Sequence, residues 1–141
     1  MLRLITLTLI VLLFVGCSTP AAREASRVRA MDEVEIRQVS DQELIRALQF
    51  ARRDAVPEVL LQEGVRRDLW PEQDLPFLRR KEINIGISEN TVLAIYGIMQ
   101  HRGYNTMTEH GLSTQWVFYS LTGDPVLYVY VVDGKVVAIQ N

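Results

Sequence analysis

The stretch Val126-Leu127-Tyr128-Val129-Tyr130-Val131-Val132-Asp133-Gly134-Lys135-Val136-Val137-Ala138-Ile139-Gln140 decides the fold. Aromatic and β-branched residues fill both arms, and Asp133-Gly134 between them is the signature of a two-residue hairpin turn with positive φ at both positions. A type I′ turn there predicts Val131 opposite Val136, Tyr130 opposite Val137 and Val129 opposite Ala138. One face then carries Val126, Tyr128, Tyr130, Val132, Val137 and Ile139; the other carries Leu127, Val129, Val131, Val136 and Ala138. Both faces are apolar. One must cover helices, and the other lies under N-terminal helices or stays open as a contact surface.

Working back from the hairpin, Thr114–Ser120 reads as a third strand, and residues 98–112 read as the loop before it. Ser88 is placed to cap a helix over Glu89–Tyr96, with Ile87 stapled to Val92 and Val92, Leu93, Ile95 and Tyr96 on the buried side. Gly97 is expected as its left-handed C-cap. Pro71 opens a shorter helix bearing Leu75, Phe77 and Leu78, with Pro76 an internal fault and Arg79-Arg80-Lys81 in the last turn.

Further upstream, Ser40 and Glu43 form a capping box for a helix with Leu44, Ala47, Leu48 and Ala51 on its stripe and Val39 as the staple to Leu44. Pro57 falls in the first turn of another helix, which carries Val59, Leu60, Leu61 and Val65. Residues 18–39 alternate in charge with little apolar periodicity and read as tether, in which Val34 and Ile36 could pair as a short strand. The fold class is therefore α+β: two short helices on a three-stranded antiparallel sheet (ααβββ), preceded by a helical extension. The boundaries are 1–16 and 17–39, the second mostly tether, then 40–67 as the helical extension and 68–141 as the sheet domain.

With 141 residues, 48% of them hydrophobic, the chain suffices for one domain with a real core. Its 15 basic and 17 acidic side chains leave no basic field for nucleic acid. Charge is unevenly spread, with 12 basic and 13 acidic residues over 17–82 against 2 and 4 over 83–141, so the first part reads as solvated helices and the second as core. Arg52-Arg53 and Arg66-Arg67 have acidic neighbours in Asp54, Glu63 and Asp68, which makes a salt-bridged helix face of them.

The one cysteine excludes an intramolecular disulfide framework, and the two histidines, His101 and His110, have no ligand-spaced partners for a metal. Ser113, Ser120 and Asp124 lack a nucleophile elbow or oxyanion loop, and no phosphate-binding glycine pattern occurs. Trp116 and Phe118 read as sheet-packing residues. No catalytic, cofactor or metal residues are expected, and the chain reads as a non-enzyme.

The first residues carry an address. Arg3 precedes the uncharged run Leu4–Val15, whose 12 residues fall short of the roughly 20 that a membrane-spanning helix needs. The run ends in Phe14-Val15-Gly16-Cys17, which resembles the lipoprotein box cut by signal peptidase II. That resemblance implies a mature chain from Cys17 with acyl chains on it, an anchor that several buried methylenes make essentially permanent. Ser18 stands where an inner-membrane retention aspartate would be, which favours the outer membrane.

From Asp68 to Asn141 the chain resembles the SmpA/OmlA (BamE-like) outer-membrane lipoprotein family. The residues that carry it are the turn Ile85-Gly86-Ile87-Ser88, Val92 and Gly97 in the following helix, Gln115-Trp116-Val117-Phe118, and the hairpin through Asp133-Gly134. Gly97-Ile98-Met99 stands where the family commonly has Gly-x-Pro. The resemblance implies a non-enzymatic interaction or scaffold protein facing the periplasm, with partners among envelope proteins such as the β-barrel assembly machinery. It draws attention to the sheet edge and to Ile98, Met99, Tyr104 and Met107 as a partner surface. Because related helix-and-sheet units serve β-lactamase inhibitor proteins, a periplasmic inhibitor or ligand-binding lipoprotein is the alternative.

Overall fold

The computed structural model describes residues 19–109 and 111–141. Cys17, the signal segment and His110 lie outside the described residues. The helices are α1 (Pro20–Arg29), α2 (Glu33–Ile36), α3 (Asp41–Phe50), α4 (Glu58–Arg66), α5 (Leu75–Arg80, preceded by a 3-10 turn at Glu72–Asp74) and α6 (Glu89–Tyr96). They lead into an antiparallel meander of β1 (His101–Thr108), β2 (Gly111–Tyr119), β3 (Pro125–Val132) and β4 (Lys135–Gln140), in the order β1-β2-β3-β4.

The class is α+β, as the patterning indicates, but the sheet has four strands and not three. Residues 101–108 pair with β2 along their whole length, from His101↔Phe118 to Thr108↔Gly111. Gly103 and Asn105 are poor strand formers, which hid this element. Gly103 is tolerated because the Trp116 ring opposite covers it; a Cβ there would come 2.9 Å from Cζ3.

The segment read as tether is also folded. Thr19 caps α1, Asp32 and Glu35 form a capping box on α2, and Val34–Ile36 is helical where a strand was expected. Ala25, Val28, Ile36 and Val39 are buried. Four apolar residues among many charges show too little period to be read locally, yet each fills a place against the helices behind it.

Two apolar clusters share α6. On one side Ala94 and Ile95 meet Val28, Leu44, Leu48, Leu60, Leu61, Trp70 and Leu78 from the helical layer. On the other, Val92 with Ile87 meets Phe118, Val129, Val131 and Val136 of the sheet. The charged helices of 40–67 are thus continuous with the core through α6 and are not an appendage to it.

The serine N-caps are found as expected. Ser40 and Glu43 make the reciprocal bonds of a capping box on α3, and Ser88 accepts from the Thr91 amide at 3.1 Å to cap α6. Pro57 stands at the N-cap of α4, one position before the first turn. Pro76 does not interrupt a helix; it sits in the first turn of α5, where its missing N–H has no partner to lose.

Gly97 is right-handed, at φ −63°, contrary to the expected left-handed cap. Its need for glycine is spatial: a Cβ at position 97 would run into the backbone carbonyl of Leu93, to which Gln49 Nε2 donates at 3.1 Å. The left-handed helix ends fall instead on Asp68 (φ 57°) after α4 and Lys81 (φ 51°) after α5. Lys81 Nζ donates to Gln49 O at 2.6 Å, and burial, with Arg29 nearby, pushes its pKa down to about 8.

Asp133 (φ 47°) and Gly134 (φ 73°) make the expected turn, and Val131 faces Val136. Beyond that pair a bulge shifts the register, so that Tyr130 faces Ala138 and Val129 faces Ile139. Val137 is the extra residue and lies exposed, while Ile139 turns to the helix side and joins the core.

Candidate interaction surface

The meander has one covered and one open face. Trp116, Phe118, Val129 and Val131 point at α6 and its neighbours. By alternation, Arg102, Tyr104, Gln115, Val117, Tyr119, Tyr128 and Tyr130 share the other face. Among the described residues, none of these side chains belongs to the apolar cluster that joins the sheet to the helices. Of the two locations open to this second face, it takes the exposed one.

The tyrosines are organised. Gln115 Nε2 donates to the Tyr130 hydroxyl at 3.0 Å, and that hydroxyl donates to Gln140 Oε1 at 3.4 Å. The Arg102 guanidinium lies 6.0 Å from the centre of the Tyr119 ring. A hydrogen bond with Tyr104 raises the Tyr119 hydroxyl above the usual tyrosine range, with Arg102 pulling the other way. Val117, flanked by Arg102 and Tyr128, is buried beneath these side chains although it is on the open face. The result is a flat aromatic platform with hydroxyl and amide groups fixed on it, the composition that favours protein contact.

The four residues expected to form a partner surface do not act together. Ile98 is exposed in the turn after α6, whereas Met99 is partly buried and packs into the sheet core, so it is withdrawn from the surface. Tyr104 and Met107 are exposed on β1, but their side chains point to opposite faces. Tyr128 and Tyr130 were legible as one face of the hairpin; Arg102 and Tyr104 joined them only when residues 101–108 proved to be a strand.

The polar residues considered for catalysis have structural partners. His101 Nδ1 is 2.8 Å from Met99 O, and its ring packs against Trp116 and Phe118 at 5.5 and 5.6 Å between centres. Trp116 Nε1 donates to Glu89 Oε1 at 2.6 Å, which pins β2 to α6. Ser120, Thr122 and Asp124 hydrogen-bond to one another within the β2–β3 turn, and Ser113 lies at the far end of β2. Buried Asp74 accepts from the Ser88 amide at 2.8 Å and from Thr91 Oγ1 at 2.7 Å, tying α5 to α6. Among the described residues no His, Cys, Asp and Glu cluster could hold a metal ion.

Arg66 and Arg67 bridge Glu63, as their neighbours suggest, whereas Arg53 bridges Glu82, distant in the chain. Among the described residues no helix is long and apolar enough to cross a membrane. Comparison with protein-family models, with curated proteins and with solved structures finds no match to this chain.

Proposed function

We propose that this protein is an outer-membrane lipoprotein, anchored through acylated Cys17 and facing the periplasm, that works by protein–protein contact and not by catalysis. The observation that carries the contact mechanism is the open sheet face, where four tyrosines, Arg102 and Gln115 form a platform outside the apolar cluster that joins the sheet to the helices. Resemblance of the motifs from Ile85 to Gly134 to the SmpA/OmlA (BamE-like) family supports a role in outer-membrane protein assembly or envelope maintenance.

Since α1 begins at Pro20, three residues after Cys17, the leash is about 10 Å at full extension. In this reading the helical layer sits at the membrane surface, and anchoring raises the effective concentration of the platform toward any membrane-bound partner.

Cys17→Ser is expected to release the protein from the membrane fraction and to block processing; unchanged fractionation and processing would remove the anchor from the proposal. The platform is tested by a mild-detergent pull-down from the native host, comparing the wild type with Tyr119→Ala/Tyr128→Ala. Aromatic anchors at interface centres contribute about 2 kcal/mol or more each, so partner recovery should fall at least roughly tenfold while the fold persists. Equal recovery of the β-barrel assembly machinery, or of any other envelope complex, by both proteins would place the contact elsewhere.

A further inference from the structure

The two edges of the sheet are not equivalent. The edge of β4 is partly closed by the chain before α6: Gly86 N donates to Val136 O at 2.8 Å, Val136 N donates to Ile87 O at 3.0 Å, and Ser88 bridges Lys135. On the other side, β1 is the terminal strand. The phase of its hydrogen bonds follows from one contact, Tyr119 N to Gln100 O at 2.8 Å. Antiparallel pairs alternate between bonded and non-bonded, so Arg102, Tyr104 and Thr106 spend their backbone groups on β2. His101, Gly103, Asn105 and Met107 therefore turn their N–H and C=O groups outward.

This edge lacks the usual protection. It contains no proline and no lysine; its one charged side chain, Arg102, belongs to the open face and is engaged over the Tyr119 ring. Met107 is 77% exposed and Tyr104 48%.

We propose that β1 pairs with β1 of a second copy of this chain, antiparallel and centred on Tyr104, to give a continuous eight-stranded sheet. The four outward residues are symmetric about position 104. Only this centre lets all four pair, His101 with Met107 and Gly103 with Asn105 of the second copy. Charge agrees with it: Arg102 falls opposite Thr106, whereas a centre at Arg102 would set two guanidinium groups against each other. The two-fold axis is normal to the sheet, so both helical layers stay on one side and both tyrosine platforms join on the other. Tyr104 then meets Tyr104 of the second copy, extending the aromatic surface across the junction.

A single edge pairing buries less than the roughly 1,200 Å² of a standard stable interface. The dimer is accordingly one that forms at the concentration of a membrane surface, and for that it rests on the Cys17 anchor of the proposed function; its register does not.

Residues facing each other in a non-bonded antiparallel pair have Cα atoms about 4.5 Å apart, within disulfide range. In the full chain in native envelopes under mild oxidation, Tyr104→Cys is expected to give a disulfide-linked dimer at least tenfold above Thr106→Cys. Arg102→Cys and Thr106→Cys should cross-link only when co-expressed. Asn105→Pro in the Tyr104→Cys background should abolish the band while preserving the fold, because the Asn105 N–H faces away from β2. Absence of the Tyr104 band from a folded variant, or equal bands at 104 and 106, overturns the pairing. A dimer band from the wild type would show a free Cys17 thiol and so sink the anchor alone. The Tyr104 band from purified Cys17→Ser/Tyr104→Cys protein at millimolar concentration then still decides the register, its presence supporting the pairing and its absence overturning it.

Discussion

Substitution of Glu63 by alanine is expected to lower stability by about 2–3 kcal/mol, the cost of removing a buried carboxylate that accepts charge-assisted bonds from two arginines. Glu63 is only 5% exposed on α4 and accepts three bonds of 2.6–2.7 Å, from Arg66 Nε, Arg66 Nη2 and Arg67 Nε. Arg67 is the member that ties elements together. Its other nitrogens donate to Val39 O at 2.7 Å, Asp41 Oδ1 at 2.9 Å and Ile36 O at 2.9 Å. It thereby ties α4 to both ends of the α2–α3 connection, Ile36 O at its start and Val39 O before the cap of α3. Without Glu63 the guanidinium loses the acceptor that fixes it to α4, and the α2–α3 connection loosens from that helix.

The same carboxylate gives the protein an acid-sensitive component. Bonds from Arg66, then from Arg67, hold the Glu63 pKa down to about 2 from 4.5. A depressed acid contributes stability that is complete above its unfolded pKa and is lost as pH falls through the folded one. Between pH 6 and pH 3 that loss is about 2 kcal/mol, and by pH 1.5 about 3 kcal/mol. Glu63→Gln should therefore be less stable than the wild type at pH 7 and converge on it by pH 2. Urea unfolding at a series of pH values reads this directly; a difference that stays constant with pH would show that the carboxylate has the same pKa in the folded and unfolded chains.

The second large effect concerns Gly64 and Trp70. Glycine within a helix costs about 1 kcal/mol relative to alanine, so propensity alone makes Gly64→Ala stabilising. The packing says otherwise. Trp70 is fully buried, donates from Nε1 to Leu61 O at 3.0 Å, and lies flat on Gly64, where a Cβ would come 1.9 Å from Cζ2 and 2.1 Å from Cε2. A rigid ring held by a hydrogen bond cannot yield by that much. Gly64→Ala is expected to cost about 1–3 kcal/mol or more, and Trp70→Ala about 3–5 kcal/mol. The two are coupled. In the Trp70→Ala background the space above position 64 is empty, so adding Gly64→Ala should be neutral or stabilising by up to about 1 kcal/mol. Thermal melts of the four proteins test it, and simple additivity would mean that the ring does not rest on that glycine.

Legibility in the sequence followed the range of the forces. The Ser40–Glu43 box, the Ser88 cap, the Asp133-Gly134 turn and the extent of β4 depend on residues within a few positions of one another, and all are found where the chain indicates. The tyrosine face was half legible for the same reason. Tyr128 and Tyr130 alternate within one hairpin arm, while their companions Arg102 and Tyr104 lie more than twenty residues away in a segment whose strand formers are interrupted by Gly103 and Asn105.

What the sequence by itself determined, then, was the α+β class, the Ser40 and Ser88 caps, the closing hairpin and the apolar stripes that had to be buried. Only the tertiary structure decided that residues 101–108 are a strand, that α1 and α2 are folded, and that a bulge at Val137 turns Ile139 inward. Each of these is settled by a partner distant in the chain. A strand containing Gly103 and Asn105 is stabilised by β2 beside it and the Trp116 ring above it, and a charged helix with two buried residues by the helices it covers.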